Sequence, residues 1–207
     1  MTGPQPAGPG RTDPVPPATD PLLARQAEAL DLFGRRVHAI RDDQWDAPTP
    51  CADWSVRDLV GHLVTEQAWV PALVRDGDTV DSAGDAFAGD PLGPDPVAAW
   101  DTVADASRAV FAEPGALDRT VHLSFGDMPA GDYCAQLVTD LTVHTWDLSR
   151  AIGAEERLPA GLLAFAVREV TPHAAELEHS GLFAAPEEPP PGADAQTKLL
   201  CLVGRRP

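Results

Sequence analysis

Asp140 and His144 stand four residues apart in a segment whose Leu137, Leu141, Leu148 and Ala151 recur at helical spacing, so on a helix both point toward an apolar face. A carboxylate carried into a helix bundle must be compensated. A hydrogen bond from the histidine would do this and leave both as core residues; joint coordination of a metal ion would do it too. His62 sits at the edge of a second stripe, made by Val56, Leu59, Val60 and Leu63, beside Glu66, Trp69 and Leu73. It is either a packed or surface histidine or, turned into the space between helices, a further ligand. His62, Asp140 and His144 would then form a two-histidine, one-carboxylate set drawn from two helices. Such a set leaves coordination positions for water or substrate, which is the pattern of a catalytic rather than a structural metal site.

Other reactive side chains read more plainly. Asp147, one turn after His144, is placed either to accept the second N–H of that histidine or to serve in capping or a salt bridge to Arg150, and capping or the salt bridge is the simpler account. His122 alternates against Val121 and Leu123 and is expected on the exposed side of a strand. His173 falls at the edge of a helical stripe, and Tyr133, the single tyrosine, precedes Asp140 on nearly the same face and reads as packing. Cys51 lies in a turn with no base beside it in sequence, so it is not assigned as a nucleophile. Arg57 is expected to pair with Asp53 or Asp58.

Five helices and one strand must position these groups. Helical periodicity covers 21–43, 55–74, 96–112, 130–152 and 159–179, with Ser55 and Asp58 as a capping-box-like start to the second and Gly153 as the stop of the fourth. Residues 76–96 are rich in Gly, Asp and Pro and read as a long surface loop, either a lid or a mobile linker. Residues 119–125 alternate and are followed by Gly126-Asp127, as in a hairpin arm. Residues 1–20, rich in Pro and Gly without apolar periodicity, read as a disordered tail. Residues 21–184 form the helical domain, and 185–207 a Pro-rich linker with a short C-terminal helix. The sum is an all-α bundle with a short β excursion.

Composition excludes several functions. A net charge of −17 over 207 residues repels phosphate backbones and anionic membranes, so no nucleic-acid or membrane partner is expected. No run approaches the ~18 apolar residues of a membrane span. The first residues lack the basic start and apolar core of a secretory signal, and Cys51, Cys134 and Cys201, widely spaced and odd in number, fit reduced thiols in a cytoplasmic protein.

Three segments carry a resemblance: PTPCADWSVRDLVGHLV at 48–64, DLTVHTWDLSRAIG at 140–153 and the closing KLLCLVGRRP. Together they resemble the actinobacterial metal-binding branch of the DinB/YfiT superfamily, which includes the N-terminal domain of the mycothiol-dependent maleylpyruvate isomerase, over about residues 20–207. The resemblance implies a DinB-like four-helix bundle holding a divalent metal, usually zinc with nickel or iron as alternatives, on His62, Asp140 and His144. The isomerase carries Glu where this chain has Asp140, a side chain shorter by one methylene. The isomerase's separate C-terminal domain has no counterpart in the resemblance, so maleylpyruvate isomerisation itself is not implied.

A dication with three protein ligands suits thiol transfer, because it lowers the pKa of a bound low-molecular-weight thiol and presents a thiolate at neutral pH. The expected function is therefore a metal-dependent, mycothiol-type S-transferase acting on a small electrophile, held in a cavity for which Trp69, Trp100 and Phe111 are candidate walls. The alternatives are a metal-binding protein without turnover and a biosynthetic isomerase, cyclase or hydrolase reusing the cavity. The expected partners are a small thiol and an electrophile, with a homodimer as the assembly considered.

Overall fold

Asp20 opens the first helix, α1 (Pro21–Val37). Its carboxylate accepts the Leu22 N–H at 2.8 Å, and Pro21 occupies the first turn, where a missing N–H costs nothing. This is the start of a computed structural model that describes residues 20–84, 89–173 and 184–207. The expected tail at 1–20 lies, but for Asp20, outside the described residues.

α1 ends six residues earlier than its periodicity suggests. Ala39 and Ile40 donate to the carbonyls of Arg36 and Val37, three residues back, which tightens the last turn and leads into a 3₁₀ turn at Asp42–Gln44. The capping box of α2 (Val56–Val70) forms as expected: Asp58 N–H donates to Ser55 Oγ at 3.2 Å and Ser55 N–H to Asp58 Oδ2 at 2.9 Å. At Pro71 the missing N–H forbids an ordinary α turn, and the helix continues as a wider π turn over Pro71–Asp76, stopped by Gly77 at φ 72°.

The segment expected as an open loop at 76–96 holds a one-turn helix, α3 (Val80–Ala83), capped by Thr79. Its far end is clamped to the bundle: Leu92 is buried, and a Cβ at Gly61 would lie 3.4 Å from Pro91 and 3.9 Å from Leu92. Residues 85–88 lie outside the described residues. α4 (Pro96–Phe111) is capped by Asp95, whose carboxylate accepts the Ala98 N–H at 3.0 Å. An antiparallel hairpin follows, β1 (Thr120–Leu123) and β2 (Gly126–Pro129), in the register Thr120 to Pro129 and Leu123 to Gly126, with Phe125 exposed at its tip.

α5 (Ala130–Ile152) is the axis of the molecule and ends at Gly153 in the left-handed conformation. α6 (Ala160–Val170) passes into a 3₁₀ turn at Thr171–His173, and the remainder of the segment expected as helix, 174–179, lies outside the described residues. α7 (Ala195–Leu202) is capped by Asp194.

The bundle is a ring of four helices in which α1 packs on α5 and α4, and α2 on α4 and α5. α6 covers the outer side of α5, and α7 packs on α6 through a small cluster of Val143, Ala166, Val170, Leu199 and Val203. Flanked on so many sides, α5 is buried at every residue from Leu141 to Ser149. Its hydroxyls are satisfied within the helix: Thr142 and Thr145 donate to the carbonyls of Val138 and Leu141, each at 2.7 Å. The fold is therefore all-α with a two-stranded excursion. Among the described residues no helix is long and apolar enough to cross a membrane.

Candidate metal centre

α2 and α5 meet at His62, Asp140 and His144. His62 Nε2 lies 3.3 Å from Asp140 Oδ2, and His144 Nε2 lies 3.3 Å from Asp140 Oδ1. One ligand atom from each residue falls within 4.8 Å of the other two. His144 is 4% exposed, while His62 and Asp140 are half-buried, so the carboxylate bridges two imidazoles at the edge of the interior.

The two nitrogens of His144 have different work. Nδ1 donates to Asp147 Oδ2 at 2.9 Å, which fixes the ring and turns Nε2 toward His62 and Asp140. This is the acceptor role weighed for Asp147 in the sequence; the alternative, a pair with Arg150, is not what forms. Arg150 instead pairs with Glu156 at 2.8 Å and lies over the Trp146 ring. Asp147 is fully buried, and its charge is balanced by Arg205, whose Nη2 donates to Oδ2 at 2.8 Å and Nε to Oδ1 at 3.3 Å.

Cys51 has spatial partners that its sequence position does not show. No base stands near it in sequence, but in space its thiol donates to Asp147 Oδ2 at 3.2 Å and lies 3.7 Å from His144 Nδ1 and 3.3 Å from Arg205 Nη2. The turn that carries it is tied by Thr49, whose N–H and hydroxyl both donate to the Trp54 carbonyl at 3.0 Å, and by Asp53 in the left-handed region at φ 66°, which Asp tolerates better than most residues. That turn also lays Trp54 against both histidines, with ring centroids 5.0 Å from His62 and 5.9 Å from His144.

Electrostatics follow from this packing. Burial would raise Asp140, but the adjacent His144 charge and hydrogen bonds from His144 and His62 outweigh it and hold the carboxyl well below the usual range. Burial would lower His144, yet the Asp140 charge and the bonds to Asp140, Asp147 and Cys51 leave it well above an ordinary histidine. Glu66, one turn after His62, is pushed up by burial and by the charge of Asp140. Both Glu66 and Trp54 escaped the sequence reading as site residues. Glu66 carried a signal, the four-residue spacing from His62; Trp54 carried none beyond its place before Ser55.

The expected cavity walls divide. Trp69 is half-buried against the core, but Trp100 packs on Phe33 at 4.7 Å between α1 and α4 and is 1% exposed. Phe111 is equally buried and neighbours Tyr133, which packs as expected. His122 pairs across the hairpin with Asp127 at 2.8 Å on the exposed side, and Arg57 lies over Trp45 rather than pairing with Asp53 or Asp58. The His173 side chain lies outside the described residues.

The all-α bundle with its short two-stranded excursion is a DinB-like fold, and two histidines and an acid converge in it from α2 and α5. The model of the mycothiol maleylpyruvate isomerase N-terminal domain matches residues 26–149, and the chain belongs to that family. Two uncharacterized proteins of Mycobacterium tuberculosis, from strains CDC 1551 and H37Rv, are each 33% identical over 139 residues, covering 65% of this chain and 68% of theirs. A crystal structure of the mycothiol-dependent maleylpyruvate isomerase is similar in fold at 13% identity, with a TM-score of 0.56 over 75% of this chain and 68% of that one. A histidine-to-alanine variant of that enzyme gives 0.55 at 14% identity, over 80% and 72%.

Proposed function

We propose that His62, Asp140 and His144 hold a divalent metal, zinc in the first instance, and that the protein is a mycothiol-type thiol-dependent enzyme acting on a small electrophile in the cytoplasm. The observation that carries the reading is the donor set: two imidazoles and one carboxylate, each offering a ligand atom within 4.8 Å of the other two, with the far side of His144 already anchored by Asp147 at 2.9 Å. That set suits zinc and leaves part of its coordination for an exogenous ligand. When bound, such an ion supplies charge that lowers the pKa of a thiol and so presents a thiolate at neutral pH. The family supports the choice of thiol, since the isomerase of similar fold is mycothiol-dependent by name.

The chain's own residues have separable tasks. Trp54 shields the two histidines from one side and offers an apolar face to a substrate. Glu66, raised by its half-buried place near Asp140, holds a proton at its carboxyl more readily than an ordinary glutamate, as a general acid for the product must. Asp147 keeps the His144 Nδ1 proton in place, so Nε2 faces the site. Three free cysteines, Cys51, Cys134 and Cys201, accord with a reducing compartment.

Thiol consumption tests the function. Purified protein with mycothiol and a panel of epoxides, alkyl halides and conjugated enones should accelerate loss of free thiol, and His144→Ala should abolish the effect. Glu66→Gln should retain metal while slowing turnover about 10²-fold or more, as loss of a general acid does. Thiol loss at the uncatalysed rate across the panel would contradict the transferase reading.

A further inference from the structure

His144 belongs to two groups of metal-ligating side chains. Through Nε2 it joins His62 and Asp140; through Nδ1 it joins Cys51 and Asp147, whose ligand atoms also fall within 4.8 Å of one another. The second group contains a thiol and is the more attractive of the two to a soft ion. Its centre, however, is taken. The Arg205 guanidinium donates from Nη2 to Asp147 Oδ2 at 2.8 Å and to Cys51 Sγ at 3.3 Å, and from Nε to Asp147 Oδ1 at 3.3 Å. Nη1 is anchored on the Val203 carbonyl at 2.8 Å. Arg205 is 6% exposed, so this is a buried cation paired with a buried carboxylate.

We propose that Arg205 is a built-in cation that fills the Cys51–His144–Asp147 set, excludes a thiophilic metal from it, and so commits His144 to the site shared with His62 and Asp140. It acts as a positioning and metal-selecting residue, not as a catalytic one, and the inference rests on the metal reading above. A guanidinium suits the task because its planar fork meets both oxygens of Asp147 and it stays protonated at any physiological pH. Its delivery is local. Gly204, at φ 77°, ends α7 in a Schellman motif in which Gly204 N–H donates to the Cys201 carbonyl at 3.0 Å and Arg205 N–H to that of Leu200 at 2.8 Å. The turn sends Arg205 inward while Arg206 faces outward to Glu187.

Cobalt(II) and cadmium(II), added to metal-free full-length protein, provide the test, because a cysteine thiolate ligand adds a near-ultraviolet charge-transfer band that nitrogen and oxygen ligands do not. Wild type should bind cobalt without that band. Arg205→Ala and Arg205→Gln, checked for fold by circular dichroism, should gain it with both ions and lose it again when Cys51→Ser is added. Arg205→Lys, which keeps the charge, should suppress it. The glutamine variant retains length and polarity and serves where alanine fails to fold. A thiolate band in wild type, or its absence from a folded Arg205→Gln protein that still binds cobalt, would overturn the inference. Failure of wild type to bind either ion would instead overturn the metal reading itself.

Discussion

His144 is the residue on which the site turns, because each of its nitrogens is held by a different carboxylate. Asp147 is the partner that orients it, so Asp147→Asn should weaken metal affinity about 10–100-fold, as loss of such an outer partner does, measured by competition with a chromophoric chelator. The same substitution leaves Arg205 buried without its counter-charge, and the metal-free protein should lose about 3 kcal/mol or more in denaturant unfolding. The pH dependence has a definite sign. His144 is raised above its unfolded value, so its contribution to the metal-free protein is complete below about pH 6.5 and is lost as pH rises through the folded pKa. Asp140 and Asp147 are lowered, so theirs is present above about pH 4 and lost as pH falls through the folded values. Unfolding of the metal-free protein should therefore show stability declining above about pH 6.5, while the added stabilisation from metal grows over the same range because less proton must be displaced. A slope unchanged in His144→Ala would refute this assignment.

At the scale of elements, two short motifs place the site. Ser55 starts α2 seven residues before His62, and Ser55→Ala should cost about 1 kcal/mol through the lost cap, read from thermal unfolding. Gly204 lies between the buried Val203 and Arg205: a Cβ there would meet the Ala184 carbonyl oxygen at 2.7 Å, and the left-handed backbone adds about 1–2 kcal/mol for most other residues. Gly204→Ala should lower stability by at least that much and, by displacing Arg205, reproduce part of the behaviour of Arg205→Gln. How far the sequence revealed these elements depended on range. α4 and α5 were legible almost to the residue, because Pro96 and Gly153 mark their ends and apolar spacing runs between. The early end of α1 was not, since Ile40 continues the apolar spacing while i-to-i+3 bonds close the helix before it. The complete burial of the middle of α5 was hidden as well: a stripe predicts one buried face, and α6 and α7, which cover another, announce themselves only through weak periodicity of their own.

The whole molecule brings together residues that sequence keeps apart. Asp140 and His144 could be paired from one helix and His62 from the stripe edge of another, which is why that cluster was readable. Cys51, Asp147 and Arg205 span most of the chain and meet only after α7 docks on α6, so no spacing rule could join them. The same architecture would tie metal occupancy to the stability of the bundle, because the proposed ligands lie on α2 and α5, two sides of its ring. At metal concentrations a thousandfold above the dissociation constant, binding should stabilise the native protein by about 4 kcal/mol, and a chelator should lower the melting temperature accordingly.

Elemental analysis of purified, untagged protein beside folded His62→Ala and His144→Ala variants tests the central claim most directly. The account predicts close to one equivalent of divalent metal, zinc above all, in the parent and its loss from both variants. A parent that is metal-free and cannot be loaded with zinc, nickel or iron would contradict it, and the two histidines would then be core residues held by Asp140.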